Sequence, residues 1–277
     1  MTTLVPVLGD QLSLNLSSLQ AVDKSNAVVL ITECQDEATY ILHHQKKLVF
    51  VFSCMRHFAE LLSSKGWQVE YHKLDDKRAP KSISQSIKAA QKRHQCERIV
   101  ITEAAEYRLQ QSLLDLQSAV KADMQILEDT RFICTHERFD QWAAGRKQLR
   151  MENFYRDMRV STGLLMDSKQ PEGGQWNFDK DNRKPATGSV TFHSPLKNTP
   201  DAITQECIEL VNKKFGKHPG HTEDFWFATT AKDARKALSH FIKKSLPTFG
   251  DYQDAMLAGE PFLSHSVLSI YINIGLL

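Results

Sequence analysis

Residues 145–184 carry the side chains that most clearly suggest a chemistry, which is contact with nucleic acid. This segment holds nine Lys or Arg against six Asp or Glu, in a chain whose formal net charge is +2. Its cations alternate with aromatic and aliphatic residues and then pass into a loop that contains Gly, Trp and Asp. Lys and Arg bind phosphates, and aromatic rings stack on bases. Composition alone nevertheless favours a solvated amphipathic helix followed by a polar loop.

Other polar clusters could bind ligands, but each also has an ordinary structural explanation. The acidic pairs Asp75-Asp76 and Glu128-Asp129 stand at predicted strand ends, where solvated turn residues are commoner than metal or ribose ligands. His43-His44, followed by Lys46-Lys47, could face an anionic ligand or cover a helix surface. His57 is more typical of a packing or capping histidine than of a general base.

Several motifs of catalysis and nucleotide binding are absent from the sequence. There is no G-x-G-x-x-G, no P-loop and no G-x-S-x-G, and His136-Glu137 is not followed by the P-C-x-x-C of zinc deaminases. The five cysteines lie at least twenty residues apart without a C-x-x-C pair. This spacing argues against an iron–sulfur or zinc site, and the odd count argues against a full disulfide framework. We predict no catalytic residue and no metal ligand.

The overall composition is that of a globular protein with room for about two domains. Hydrophobic residues make up 41% and charged residues 25% of the 277 residues, and a net charge of +2 requires any nucleic-acid surface to be local. The N-terminus lacks the features of a signal peptide, and no run of about eighteen apolar residues occurs. We therefore expect a cytoplasmic protein with no membrane partner.

The first 130 residues alternate short β-rich runs with helical patterns, which predicts a Rossmann-like α/β domain with a five-stranded parallel sheet. The periodicity from Leu48 to Leu62 favours a helix that ends near Lys65, and another helix is predicted to start near Pro80. Ligands of parallel sheets bind at the carboxyl ends of the strands. The predicted strands are Leu4–Leu8, Ala27–Glu33, Gln68–Leu74, Arg98–Glu103 and Met124–Glu128.

Strand signals stop after about residue 134. Residues 136–166 read as helical, with Glu152 placed to pair with Arg156, and residues 168–200 read as a long connection. Helical patterns resume near Ala202 and near Ala231, and the second of these is predicted to close at Pro247 and Gly250.

The apolar segment 262–277 has two interpretations. It is either a docked C-terminal helix or part of a helical domain cut short, in which case its exposed apolar residues could drive association.

Six segments, in order along the chain, resemble the bacterial photolyase-related proteins, the iron–sulfur (6-4) branch of the cryptochrome/photolyase family. The most specific is Q-P-x-G-G-x-W-N-x-D-x-x-N-R in the connection. The segments are LGDQLS (8–13), EATYILHHQKK (37–47), SCMRHFAELL (53–62), RKQLRMENFYRDMR (146–159), TGLLMDSKQPEGGQWNFDKDNRKP (162–185) and HSVLSIYINIGLL (265–277).

This resemblance implies an N-terminal antenna domain at 1–134, a helix and interdomain linker at 135–200, and the start of a helical FAD-binding domain at 201–277. Members resemble enzymes that repair UV-damaged DNA by light-driven electron transfer from reduced FAD to a flipped-out lesion. The expected antenna is 6,7-dimethyl-8-ribityllumazine, a small-molecule chromophore. The family also holds a 4Fe-4S cluster.

Individual residues carry over from the family by their positions in these segments. The antenna contacts implied are Asp10, Glu33, Glu37 and, against the ring, Val51. The lesion contacts implied are Asp179 and Arg183. The serines that would contact the FAD phosphates are Ser266 and Ser269.

The chain ends before the positions of the family's cluster ligands, catalytic histidines and most of its FAD pocket. We therefore expect it to bind the antenna without repairing DNA. Alternatives are a non-enzymatic light-sensing regulator and an unrelated nucleotide-binding α/β protein with a basic arm.

Overall fold

A computed structural model describes residues 2–77, 79–186 and 190–277. The strands are β1 (Thr3–Pro6), β2 (Ala27–Thr32), β3 (Gln68–His72), β4 (Arg98–Thr102), β5 (Asp123–Leu127), β6 (Met166–Asp167) and β7 (Gln170–Pro171). The helices are α1 (Ser17–Gln20), α2 (Gln35–Thr39), α3 (Gln45–Ser64), α4 (Ile83–Arg93), α5 (Tyr107–Ala119), α6 (His136–Ala143), α7 (Met151–Thr162), α8 (Ala202–Phe215), α9 (Ala231–Lys244), α10 (Leu246–Tyr252) and α11 (Ser269–Ile274). Within the described residues, each helix is too short or too polar to cross a bilayer.

The first five strands form one parallel sheet in the order β3-β2-β1-β4-β5, which confirms the predicted α/β fold. Each predicted strand overlaps an observed one, and their ends differ by at most two residues. The central strand β1 pairs with β2 on one side and β4 on the other. Because successive side chains alternate between the faces of a sheet, both faces of these buried strands are apolar.

The hydrophobic core lies on both faces of this sheet. One cluster joins strand residues such as Leu30 and Ile99 to Ile87 of α4 and Leu113 of α5. Helix α3 follows the predicted periodicity, which confirms a helix at 48–65 rather than a strand. The chain then turns at Gly66, whose φ of +82° favours glycine.

The chain divides into two compact units. The first comprises residues 1–131, 196–239 and 267–277, and the second comprises 132–195 and 240–266. In the first unit, α8 packs against α3, where the rings of Phe52 and Phe215 lie 6.5 Å apart.

The second unit contains α6, α7, α10 and the β6–β7 hairpin, and it corrects two expectations. The helical pattern at 136–166 is interrupted between α6 and α7, where Gly145 adopts a φ of +72°. Strands do not stop at 134, because β6 and β7 pair, although two-residue strands are too short to show a period in the sequence. The ion pair between Glu152 and Arg156 is confirmed.

Two helix boundaries also differ from their predictions. Helix α4 begins at Ile83 rather than near Pro80, because the Ser82 side chain accepts a hydrogen bond from the Gln85 N–H and caps it. Helix α9 ends at Lys244, and Pro247 lies in the first turn of α10, where proline's missing N–H does no harm.

The last eleven residues belong to the first unit, and the apolar segment is buried in part. Tyr271, Ile274 and Leu276 are buried, whereas Ile272 remains 58% exposed. The Tyr271 hydroxyl accepts a hydrogen bond from the Ala228 N–H at 3.1 Å.

A buried ion pair fixes α3 to the sheet. Glu33, which follows β2 and has no solvent exposure, accepts hydrogen bonds from Arg56 Nε at 2.7 Å and Nη2 at 3.1 Å. The Tyr71 hydroxyl and the Leu74 N–H also donate to this carboxylate, at 2.7 and 2.8 Å. Burial by itself would lower the pKa of Arg56, but the hydrogen bonds and charge of Glu33 raise it.

Replacing Arg56→Met is expected to destabilise the protein by about 3–5 kcal/mol, because it leaves the Glu33 carboxylate buried without its cation. Urea unfolding of the wild type and the variant measures this loss. The double variant Glu33→Gln/Arg56→Met should recover part of it. Lys236→Met, which breaks an exposed pair with Asp233, is the control and should change stability by less than about 1 kcal/mol. Equal losses of stability in Arg56→Met and Lys236→Met would contradict the view that Arg56 compensates a buried charge.

Candidate antenna site

The order of the strands predicts a ligand crevice at the carboxyl edge of the sheet, between β1 and β4. The chain runs from β1 outward through β2 to β3 and then returns to β4 on the other side of β1. At such a reversal the loops leaving the two neighbouring strands diverge, which creates the usual ligand crevice of open parallel sheets. Asp10 follows β1 and Glu103 follows β4 at this point.

Asp10 is the predicted residue that lies at this crevice. Burial raises the pKa of its carboxyl group, while its own backbone N–H and Arg131 act in the opposite direction. The negative charges of Asp129 and Glu106 raise the pKa further. Arg131 Nη1 donates a hydrogen bond to the Asp10 carbonyl oxygen at 2.6 Å. The fold therefore holds a carboxylate where its charge is unfavourable, which is common at binding sites.

Glu37 in α2 is joined to the first turn of α5, which follows β4. Both its oxygens accept from Arg108, at 3.1 Å from Nη1 and 2.6 Å from Nη2. Arg108 also lies 3.2 Å from Glu106 and stacks over the Tyr40 ring, 4.5 Å from its centroid. Because Glu106 also acts on Asp10, the predicted residues Asp10 and Glu37 belong to one chain of interacting charges.

Val51 lies beside the loop that follows β1. Its Cγ1 is 3.5 Å from the position that a Cβ would occupy at Gly9, next to Asp10. Met55 Sδ lies 3.3 Å from that position, so glycine lets α3 approach the end of β1 closely. Val51 is half-buried, which leaves part of its side chain available to a ligand.

Glu33, by contrast, is engaged elsewhere. Its oxygens accept from Arg56, Tyr71 and the Leu74 N–H. The structure thus places Val51 beside Gly9, which precedes Asp10, joins Glu37 to Arg108, and engages Glu33 in the support of α3.

Sequence reasoning missed four residues of this edge: Tyr40, Glu106, Arg108 and Arg131. Glu106 has a local signal, because it caps α5 by accepting from the N–H groups of the two residues at 108 and 109. Arg108 has none, since its partner Glu37 is 71 residues away.

The two acidic pairs at strand ends turn out differently. Asp76 is an exposed turn residue as expected, and it accepts from the Lys73 N–H at 2.9 Å. For Asp129 the solvated-turn expectation is wrong. It is 3% exposed and holds Arg131 at 2.6 Å.

Asp179 and Arg183 lie in the second unit on an exposed loop. Asp179 begins a 3-10 turn at Asp179–Asp181. The Arg183 side chain is 75% exposed and makes a 3.4 Å contact with Asp254. The same loop is anchored by Trp176, whose ring centroid lies 5.5 Å from the guanidinium carbons of both Arg156 and Arg159.

The two candidate FAD serines belong to different units. Ser266 is half-buried in the second unit, and Ser269 is exposed at the start of α11 in the first. Among the described residues, no group of three His, Cys, Asp or Glu side chains is arranged to hold a metal ion. The five cysteines are free thiols, and burial raises the pKa of Cys34 to about 12.

Comparison with known proteins shows the class of protein to which the chain belongs. The family of deoxyribodipyrimidine photo-lyase-related proteins matches residues 5–227. The chain belongs to this photolyase-related family. Over all 277 residues it is 45% identical to a protein of Agrobacterium fabrum (strain C58 / ATCC 33970) named "(6-4) photolyase".

The chain spans about half of that relative's length, 55%. It is also 22% identical over 153 residues, 54% of its length, to an uncharacterized protein of Acanthamoeba polyphaga mimivirus, of which 76% is covered.

Asp10→Asn is expected to stabilise the protein by about 0.5–2 kcal/mol at neutral pH, because it removes a charge that the fold disfavours. A raised pKa stabilises the folded state at low pH and loses that contribution as pH rises through it. The advantage of the variant should therefore shrink as pH falls from neutral through the raised pKa, and it should be gone below the ordinary Asp value of about 4. Thermal unfolding across pH measures it. Asp129→Asn, which breaks the pair with Arg131, should instead destabilise, and a loss of stability in both would contradict our interpretation of Asp10.

Proposed function

We propose that this chain is the N-terminal part of a light-driven DNA repair flavoprotein of the (6-4) photolyase type, of the iron–sulfur branch. Its α/β unit would bind 6,7-dimethyl-8-ribityllumazine as an antenna. The observation that carries this proposal is the identity of 45% along the whole chain to "(6-4) photolyase". The division into an antenna domain at 1–134, a linker at 135–200 and the start of an FAD domain at 201–277 is part of the same proposal.

The chemistry of the crevice suits a ribityl-lumazine. A ribityl chain offers several hydroxyl donors, and the carboxylates of Asp10 and Glu37 are acceptors. Arg108 donates to both Glu37 oxygens and leaves lone pairs free, because each carboxylate oxygen can accept more than one hydrogen bond. Val51 supplies an apolar surface for a flat ring.

Glu33 would contribute indirectly. Its bonds to Arg56 fix α3, and α3 carries Val51. We propose that Glu33 positions the wall of the site.

In the second unit we propose that Asp179 and Arg183 contact a UV lesion in DNA. Apart from its contact with Asp254, the Arg183 guanidinium is exposed and therefore accessible to a phosphate or a base edge. Trp176 holds the loop against α7 through Arg156 and Arg159, which limits the conformations open to both residues.

FAD, when bound in a photolyase, supplies the photoexcited electron. From this chain, Ser266 and Ser269 would provide hydroxyl donors to its phosphates. The described residues contain no group of three His, Cys, Asp or Glu side chains that could hold a metal ion, so the 4Fe-4S cluster expected in the family would need other ligands.

Lumazine binding tests the antenna assignment. Val51→Asp is expected to weaken the affinity at least about tenfold, because it puts a charge against the ring. Absorbance titration of the purified chain with the lumazine measures the dissociation constant. Val160→Asp, at an exposed site on α7, is the matched control and should bind as the wild type does.

Three other outcomes bear on the assignment. No binding by the wild type would favour a nucleotide-binding α/β protein. Lumazine binding that makes no difference to repair in a full-length relative would favour a light-sensing regulator. Equal lumazine affinities for Val51→Asp and Val160→Asp would show that Val51 does not contact the chromophore.

Arg183→Gln is expected to weaken binding to duplex DNA that contains a (6-4) photoproduct by about 5–100-fold. Its binding to undamaged duplex should change less. Fluorescence anisotropy with both duplexes separates the two effects. Lys184→Gln is the neighbouring control, since this lysine pairs with Asp251. A loss that is equal on both duplexes would show that Arg183 contacts only the backbone.

A further inference from the structure

Two basic segments of the first unit meet at the start of α3. Residues 43–47 lead into this helix, and residues 213–221 end α8 and follow it. The Gln45 N–H donates to the Pro219 carbonyl at 2.9 Å, and Gln45 Nε2 donates to the His218 carbonyl at 3.0 Å. We call this surface the basic junction.

Histidine contacts make the basic junction a fixed surface. His218 Nδ1 lies 3.0 Å from the His43 carbonyl oxygen. Gly220 has a φ of +75°, and a Cβ there would overlap the His44 ring. The loop after α8 can therefore follow this path only with glycine at 220. The lysines lie at the start of α3, in the last turn of α8 and in the loop that follows α8, and the hydrogen bond from Gln45 to Pro219 holds this loop against the start of α3.

The basic junction carries a large positive charge with little internal compensation. Neither segment contains an acidic residue. Within the described residues a single ion pair reaches it, between His221 and the exposed Glu223 at 3.9 Å. Its cations are Lys46, Lys47, Lys213, Lys214 and Lys217, four of them exposed and Lys46 partly so.

The positions of two of these lysines are unfavourable for the isolated protein. Lys46 and Lys47 stand in the first turn of α3, which holds no acidic residue. The helix dipole places partial positive charge there, so lysines at this end repel it. The Pro219 carbonyl and the His44 ring accept hydrogen bonds from two N–H groups of this helix start, but neither carries a negative charge. An anion bound from outside would supply one.

We propose that the basic junction binds the phosphodiester backbone of nucleic acid without reading sequence or damage. Lysine is a mobile point charge suited to phosphates, whereas arginine is the usual reader of base edges, and neither segment contains arginine. That the polyanion is DNA rests on the proposed function. The exposed Ile41 and Leu42 border the junction, so an anionic lipid surface is the competing partner.

The test compares two triple variants with equal loss of charge. Lys47→Gln/Lys214→Gln/Lys217→Gln removes three exposed lysines of the junction. The control Lys88→Gln/Lys92→Gln/Lys121→Gln removes three exposed lysines elsewhere in the same unit. Binding to an undamaged duplex of about 30 base pairs is followed by fluorescence anisotropy between about 50 and 200 mM NaCl.

The junction variant should bind at least about tenfold more weakly than the control at low salt. Its plot of log affinity against log salt should be shallower by about 2–3, since each phosphate that the protein no longer neutralises lowers the slope by about 0.9. Equal slopes for the two variants would overturn the proposal, since net charge alone would then explain binding. Retained DNA binding together with lost binding to phosphatidylserine vesicles would assign the surface to a membrane instead.

Lumazine titration of the same variants separates this proposal from the proposed function. The junction variant should bind the chromophore as the wild type does. Loss of lumazine binding with normal DNA binding would instead show that the three lysines serve the antenna site. A wild type that fails to bind lumazine but shows the salt-dependent contrast between the triples would leave the basic junction standing.

Discussion

A carboxylate that is fully removed from water controls the arrangement of the first unit. Glu33 sits at the end of β2, and an unpaired charge there would cost several kcal/mol. It is tolerated because Arg56 of α3 and Tyr71 of β3 both donate to it. Arg56 also reaches Glu206 of α8 at 3.3 Å. Arg56 thus joins the sheet to two helices, and any shift of α3 that broke its pair with Glu33 would leave that carboxylate buried without its cation.

The same edge of the sheet contains a second, weakly compensated carboxylate. Asp10 is affected by Arg131, but Asp129 and Glu106 repel it, and burial raises its pKa. Glu33 is surrounded by donors, whereas Asp10 is surrounded by competing acids. Stability alone explains the first arrangement and opposes the second, which supports the proposal that Asp10 contacts a ligand. Because Arg56 fixes α3, it also fixes the position of Val51 next to Asp10.

Local sequence patterns predicted the elements of this fold well, because burial imposes a period. The five strands and α3 followed from alternation and from the spacing of Leu48 to Leu62. The break at Gly145 was missed, since the flanking residues keep a helical composition. Local patterns also cannot predict contacts between residues that are distant in sequence. Nothing near Glu37 indicates Arg108, which meets it only after the chain has crossed the sheet. For the candidate site, Asp10, Glu37 and Val51 were predicted from the family resemblance. The charged residues around them are known only from the structure.

Local charge excess does not by itself show which cations are available to an external anion. In residues 145–184 several cations are already committed within the second unit. Arg156 pairs with Glu152, Lys184 pairs with Asp251, and Arg159 is buried. The basic junction was not visible as a single run, because 166 residues separate Lys47 from Lys213. Its lysines nevertheless lack such ion pairs among the described residues. Cations without an ion-pair partner attract an external anion more strongly than cations that are already paired. Which cations are paired becomes known only from the folded structure.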